Sequence, residues 1–83
     1  LIERLTPAAT LHGFVTAYAA KLLTKSSLAQ SRALDAVLAG GEMALPEALR
    51  LEASLFGLCF ASDDMREGTR AFIEKRKPRF SGR

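Results

Sequence analysis

Residues 52–80 read EASLFGLCFASDDMREGTRAFIEKRKPRF, and they hold two helical patterns joined by a helix-start signal. Ser62 stands between an apolar run and a charged one, where its hydroxyl can cap the free N–H groups of a new helix. The two aspartates that follow it fall in the first turn, where negative charge meets the positive end of the helix dipole. Pro78 cannot continue a helix, so the pattern predicts a helix over residues 63–77. The basic residues expected in its last turn are Lys75, Arg76 and Lys77.

Two helices are predicted in the first half of the chain. The first has Thr6 as its N-cap and Pro7 at its first helical position, where proline is favoured. Apolar residues then recur at helical spacing as far as Leu22. The second helix is expected to begin with a cap at Ser26 or Ser27.

The second helix is predicted to end at about Ala39, because Gly40 and Gly41 follow and glycine takes the left-handed closing conformation without steric penalty. A third helix is predicted from Pro46 to about Ala61. No segment alternates between apolar and polar residues with a period of two. The sequence therefore predicts an all-α chain of four short helices.

Apolar residues fill most of the circumference of the third predicted helix. A helix of this kind is buried on more than one side. A chain of 83 residues has little surface with which to cover it. We therefore expect the third helix to pack against something outside these residues, either an upstream domain or another subunit.

Charge is concentrated at the C-terminal end of the chain, whose net charge is +3. Residues 66–83 hold seven Lys or Arg residues and two Glu residues. Such a basic end indicates an anionic partner, which could be a nucleotide phosphate, nucleic acid or an acidic protein surface. The alternative is a solvated helix face with a loose tail.

Composition limits the setting in which the protein works. The single cysteine, Cys59, cannot form an intrachain disulfide, which favours a reducing compartment. No apolar run approaches the roughly 18 residues that span a bilayer, and no signal peptide is visible. We expect no membrane partner and a cytoplasmic location, with the mitochondrial matrix or another organelle also compatible.

Two charged residues, Glu52 and Arg76, fall on apolar helix faces. A lone buried charge is costly, so each is expected to form a buried ion pair that fixes helix docking. The alternative for Glu52 is a general acid or base, but no suitably spaced residue completes a catalytic set. His12 is the one histidine, lies off the apolar stripe and is expected at the surface.

The acidic residues of the fourth predicted helix do not indicate a metal site. Helix capping accounts for the two aspartates, and expected ion pairs of Arg70 with Glu67 and Glu74 account for the rest. Gly68 lies in mid-helix, where glycine costs about 1 kcal/mol relative to alanine. That cost indicates the close approach of another backbone or of a ligand.

The motif LF-x3-F, followed by SDD-x2-EG-x2-AF-x-EKRKP-x-F, resembles the C-terminal end of the enoyl-CoA hydratase/isomerase (crotonase) superfamily. The residues that carry the resemblance are Leu55, Phe56, Phe60, Asp64, Glu67, Gly68, Ala71, Phe72, Glu74, Lys75, Arg76, Lys77, Pro78 and Phe80. It implies a helical trimerisation domain that follows a spiral β/α core. In that family the core supplies the acid/base carboxylates and an oxyanion hole that stabilises the enolate of a CoA thioester. No catalytic residue is therefore expected within residues 1–83.

The resemblance also implies roles for three residues of this chain. Phe56 and Phe72 would line the acyl and pantetheine tunnel, and Lys75 would approach the nucleotide end of CoA. The implied partners are an acyl-CoA substrate, the upstream core and sister subunits in a homotrimer or a dimer of trimers. No cofactor or metal is expected, since CoA enters as part of the substrate. The alternative is a free-standing basic helical module that binds nucleic acid or a protein partner.

Removal of the Arg76 guanidinium is expected to destabilise the protein. The Arg76→Ala variant would leave the acidic partner of Arg76 without its counter-charge. We predict a lower melting temperature in a thermal unfolding experiment. A melting temperature equal to that of the wild type would contradict the expected ion pair.

Overall fold

A computed structural model describes residues 2–83 and confirms the all-α prediction. Within this range there are four α-helices and no strand. The helices are α1 (Ala8–Leu23), α2 (Ser27–Gly40), α3 (Leu45–Phe60) and α4 (Asp63–Ile73). Each of the four predicted helices is therefore present, although some of their ends differ from the predictions.

Two of the predicted helix caps are formed by serine. The Ser26 hydroxyl accepts a hydrogen bond from the Ala29 N–H at 3.2 Å and begins α2. The Ser62 hydroxyl accepts from the Met65 N–H at 3.1 Å and begins α4. Both bonds satisfy a backbone donor that the first turn of a helix leaves free. These local signals were sufficient to place both helix starts.

The predicted start of α1 is wrong by one position. Pro7, rather than Thr6, is the residue that precedes the helix, and no side chain caps the first turn. The first turn is closed instead by Thr10, whose N–H and hydroxyl donate to the Pro7 carbonyl at 3.1 and 3.2 Å. Proline lacks an N–H, so this arrangement leaves one fewer donor to satisfy.

The left-handed end predicted for α2 is also wrong. Gly41 has a φ of −63° and a ψ of −21°, which is the right-handed conformation. The chain continues in right-handed turns, in which the Gly41 N–H donates to the Val37 carbonyl and the Met43 N–H donates to the Gly40 carbonyl. The carbonyls at the end of α2 are satisfied in this way without a left-handed glycine.

Helix α4 ends four residues earlier than predicted. The helix ends at Ile73 rather than at residue 77, and Lys75 adopts a left-handed φ of 53°. This conformation costs an L-residue roughly 1–2 kcal/mol. The basic residues expected in the last turn therefore lie after the helix, in residues 74–83, which we name the C-terminal segment.

Two backbone hydrogen bonds close this helix end as a Schellman motif. The Lys75 N–H donates to the Phe72 carbonyl at 3.3 Å, and the Arg76 N–H donates to the Ala71 carbonyl at 3.0 Å. Glycine is the usual residue at the left-handed position of this motif, so a lysine there is uncommon. The motif reverses the chain and sends the C-terminal segment back along α4.

The four helices bury almost no apolar core. α2 packs against α3, α4 touches α3 more lightly, and α1 makes little contact with the other helices. Ala71 is the one buried apolar residue among residues 2–83. The accessible surface is 7145 Å², about 2,000 Å² more than a compact protein of 9.0 kDa exposes. The expectation that these helices cannot cover α3 is confirmed.

No helix in the described part of the chain has the length and the apolar character needed to cross a lipid bilayer.

The C-terminal segment packs an aromatic ring over Gly68. A Cβ atom at Gly68 would lie 3.4 Å from Cε1 of Phe80. The predicted close approach at this glycine is therefore real, but it is made by a side chain of the same chain. Neither a second backbone nor a ligand is needed to explain the glycine.

Gly82 is the residue of the C-terminal segment that most requires glycine. Its φ of 78° lies in the left-handed region. A Cβ atom at this position would lie 2.7 Å from Oγ of Ser27, which is closer than van der Waals contact allows. A larger side chain would therefore strain the backbone and displace the Ser27 hydroxyl.

We predict that Gly82→Ala releases the end of the C-terminal segment from α2. The expected result is faster hydrogen–deuterium exchange at the amides of Ser81 and Gly82, both of which donate hydrogen bonds in the native state. Gly13→Ala is the matched control, because nothing lies within 4 Å of a Cβ atom at Gly13. Equal exchange at these two amides in the Gly82→Ala variant and the wild type would contradict the prediction.

Candidate functional site

A buried carboxylate, that of Asp64, joins three parts of the chain. It accepts hydrogen bonds from the Ser26 hydroxyl at 2.5 Å, from the Ser81 N–H at 2.7 Å and from the Gly82 N–H at 3.0 Å. The backbone N–H of Asp64 donates to the Arg83 carbonyl at 2.8 Å. Asp64 is 3% exposed. We name this arrangement the Asp64 junction, because it ties the start of α2, the start of α4 and the C-terminal segment together.

The surroundings of Asp64 keep its carboxylate ionised. Burial by itself raises the pKa of the Asp64 carboxyl, but the hydrogen bonds from Ser26, Ser81 and Gly82 outweigh that effect. The net result is a pKa below the ordinary value of 3.8. Each of the carboxylate oxygens is engaged by these donors, so the role of Asp64 is structural rather than that of a proton acceptor.

A second carboxylate, that of Glu67, holds the C-terminal segment on α4. Its two oxygens accept from Nη1 and Nη2 of Arg76 at 2.6 and 3.1 Å, and one also accepts from the Arg79 N–H at 2.9 Å. We name these three residues the Glu67 clamp. The hydrogen bonds from the Arg76 guanidinium, followed by that from Arg79, lower the pKa of Glu67 to about 2.

Arg76 is paired with two carboxylates. Besides its bonds to Glu67, its Nε donates to Glu74 at 2.5 Å, and the two acidic partners raise the pKa of Arg76, with Glu67 contributing more than Glu74. The predicted ion pair is therefore present, but it is not buried, since the side chain of Arg76 is 36% exposed. The pairs predicted for Arg70 are wrong within residues 2–83, because Arg76 takes both carboxylates.

Glu52 does not form the predicted ion pair. Its side chain is exposed and has no salt-bridge partner among residues 2–83. It lies at an open groove between α2 and α3 of about 500 Å³. Because Glu52 is exposed at this groove, its charge remains in water.

The expectation that His12 lies at the surface agrees with the structure. His12 is exposed on α1. Across the described range, residues 2–83, no group of three or more His, Cys, Asp or Glu side chains is arranged to hold a metal ion.

The three residues assigned to CoA binding lie in two places. Phe56 lines the groove between α2 and α3, where its ring meets that of Phe60 edge to face at 5.0 Å. Phe72 and Lys75 lie at the end of α4, where Phe72 is 85% exposed and Lys75 is exposed after the helix. Phe56 is therefore on a different helix from Phe72 and in a groove that neither Phe72 nor Lys75 lines. Their assignment to CoA stays a prediction.

The groove that contains Phe56 also holds a residue that the sequence did not single out. Arg32 lines it together with Cys59 and small residues of α2. Nε of Arg32 is buried and has no hydrogen-bond partner among residues 2–83. No local pattern marked Arg32, because it lies among alanines on a helix whose face becomes a groove only when α3 packs against it.

Comparison with known proteins identifies the family. The family model described as Enoyl-CoA hydratase/isomerase matches residues 1–83. The chain belongs to the enoyl-CoA hydratase/isomerase family. It is 38% identical over 80 residues to a mitochondrial enoyl-CoA hydratase of Pongo abelii, covering 96% of this chain and 28% of the relative. It is 40% identical over 83 residues to a probable enoyl-CoA hydratase of Mycobacterium bovis, covering 100% of this chain and 32% of the relative.

Solved structures of this enoyl-CoA hydratase/isomerase family contain the same arrangement of helices. An enoyl-CoA hydratase structure from Geobacillus kaustophilus HTA426 superposes with a TM-score of 0.91 at 38% identity, over 99% of this chain and 31% of that one. The chain thus spans less than a third of the length of these relatives. The four helices form a crotonase-type helical region, as the resemblance implied.

We predict that the Glu67 clamp weakens as the pH falls from 4.5 towards 2. The pKa of Glu67 is about 2 in the folded protein against an ordinary 4.5, so its stabilising effect is complete above pH 4.5. That effect is lost as the pH falls through about 2, because the protonated acid no longer pairs with Arg76.

An NMR titration that follows the side-chain carboxyl carbon of Glu67 tests this directly. The wild type is expected to show a midpoint near 2, and the Arg76→Gln variant a midpoint shifted upward towards 4.5. A wild-type midpoint near 4.5 would mean that the clamp does not form in solution.

Proposed function

We propose that residues 1–83 are the helical part of an enzyme that acts on an acyl-CoA thioester, as a hydratase or an isomerase. One observation carries the proposal: the Enoyl-CoA hydratase/isomerase family model matches the chain from end to end. The relatives cited above are named for the hydration of enoyl-CoA substrates, which favours hydration as the reaction. The alternative of a nucleic-acid-binding module has no support from these comparisons.

The proposed division of labour places the chemistry outside these residues. A core outside residues 1–83 would supply the acid/base carboxylates and the N–H groups that stabilise the enolate oxygen. Residues 1–83 would serve oligomerisation and CoA binding. The uncovered surface supports this, because about 2,000 Å² of excess surface exceeds the roughly 800 Å² that each partner contributes to an ordinary interface. A homotrimer, or a dimer of trimers, is the assembly we propose.

Within this chain, three side chains would bind and orient the thioester. The exposed rings of Phe56 and Phe72 would supply apolar contact to the acyl and pantetheine parts. The ammonium of Lys75 would meet the phosphates at the nucleotide end. CoA itself, as part of the substrate, is the one non-protein group that the proposal requires.

The proposed location is the cytoplasm or the mitochondrial matrix. The one cysteine, Cys59, is free, which fits a reducing compartment. One of the relatives cited above is named as mitochondrial, whereas others come from bacteria.

Turnover of a short 2-enoyl-CoA by the full-length subunit tests the proposed activity. Hydration removes the conjugation between the double bond and the thioester carbonyl, so the ultraviolet absorbance of the substrate is expected to fall. If the full-length subunit neither hydrates nor isomerises any 2-enoyl-CoA, the proposed function is wrong.

The Phe72→Ala variant tests the proposed role of this ring in binding. We predict that KM rises roughly five- to tenfold, corresponding to about 1–1.4 kcal/mol of lost apolar contact. Ile73→Ala is the matched control, because Ile73 is the neighbouring residue and is also exposed. An equal rise in both variants would indicate a general disturbance of α4 rather than a contact of Phe72 with the substrate.

A further inference from the structure

We propose that Glu67 and Arg76 are positioning residues for Lys75, and that they leave its ammonium free to bind the phosphates of CoA. This inference rests on the function proposed above for Lys75. It comes from the way in which the acidic groups near the end of α4 are occupied, and from the turn in which Lys75 lies.

The backbone at Lys75 is fixed on both sides. Its left-handed φ of 53° is held by the two Schellman hydrogen bonds that end at Phe72 and Ala71. On the C-terminal side, the Glu67 clamp holds Arg76 through two guanidinium bonds and Arg79 through its N–H. The lysine therefore lies between a closed helix end and an anchored segment, so its backbone has little freedom to move.

Arg76 also pairs with the two glutamates nearest to Lys75 in the sequence. Glu74 is the chain neighbour of Lys75, and Glu67 lies on α4. Arg76 binds both, through Nη1 and Nη2 to Glu67 and through Nε to Glu74. The planar guanidinium engages several carboxylate oxygens at once, which an ammonium does not do.

The ammonium of Lys75 is left without an acidic partner as a result. Among residues 2–83, the salt bridges at this end of α4 are those of Arg76, and none includes Lys75. A lysine already paired with Glu74 would have to break that pair before it bound a phosphate. Because Arg76 pairs with Glu74, that carboxylate is engaged away from the lysine, and Glu67 holds Arg76 in place.

The Glu67→Gln variant of the full-length subunit tests the inference. Glutamine keeps the size of the side chain but loses its charge, so the hold on Arg76 weakens. We expect a several-fold rise in KM for a short 2-enoyl-CoA, with kcat changed less than about twofold. The matched control is Glu47→Gln, because Glu47 is an exposed glutamate at the start of α3 with one long contact of 3.9 Å to Arg50. KM is expected to stay unchanged in that control.

Two further measurements separate positioning from a general structural effect. In a Lys75→Ala background, the added Glu67→Gln change is expected to raise KM no further, because the group that it positions is gone. With a 2-enoyl-pantetheine thioester, which lacks the nucleotide, Glu67→Gln is expected to leave KM unchanged. Effects that multiply in the double variant, or an equal rise in KM for the pantetheine substrate, would overturn the inference.

A second variant covers the case in which Glu67→Gln fails to fold. Arg76→Lys keeps the positive charge but cannot bind both carboxylates with a planar guanidinium. It is expected to raise KM for the CoA substrate and not for the pantetheine substrate. If the wild type is active with CoA substrates and the Arg76→Lys variant has an unchanged KM, the inference is overturned and the proposed function stands. Absence of wild-type activity would instead count against the proposed function.

Discussion

The hydrogen bonds to the buried carboxylate of Asp64 are the interaction on which the arrangement of this chain depends. They join the N-cap of α2, the first turn of α4 and the last residues of the chain at one point. The return of the C-terminal segment along α4 ends at this junction, where the positive φ of Gly82 and the nearby Ser27 hydroxyl disfavour any larger side chain. Phe80 over Gly68 and the Glu67 clamp lie along the same return path.

Polar contacts determine how the helices meet because the chain has almost no apolar core. Ala71 is the one buried apolar residue among residues 2–83, whereas large apolar side chains on each of the four helices are exposed. The radius of gyration is 15.9 Å, against about 12 Å for a compact chain of this length. Hydrogen bonds and ion pairs can fix how the helices meet, but they do not cover apolar surface. The apolar faces therefore remain available for another part of the protein or for another subunit.

The sequence predicted the features of the fold that depend on neighbouring residues. The caps at Ser26 and Ser62 could be predicted because each hydroxyl bonds to an N–H only three residues away. The end of α4 could not be predicted in the same way. Basic residues followed by proline are typical of a last helical turn, and residues 75–78 fit that pattern. The helix nevertheless ends at Ile73. The earlier reversal allows Arg76 to reach Glu67, and this gain depends on a contact that no local pattern contains.

Non-local contacts also explain why the candidate site was only partly predictable. The partners of Asp64 are 38, 17 and 18 residues away, so the sequence indicated its place in a first turn but not the junction. Glu52 was expected to pair because periodicity assigned it to a covered face, but this face lies at an open groove. The family resemblance alone indicated Phe56, Phe72 and Lys75, since no local pattern marks an aromatic residue or a lysine as a ligand contact.

Thermal unfolding of residues 1–83 in isolation tests most directly the claim that the apolar faces need a covering partner. Far-ultraviolet circular dichroism would follow the helices, and sedimentation would report whether the sample is monomeric. The monomer is expected to unfold over a broad range of temperature without a sharp cooperative transition. A sharp two-state transition in a sample that remains monomeric would contradict it, because the four helices would then be stable without anything to cover them.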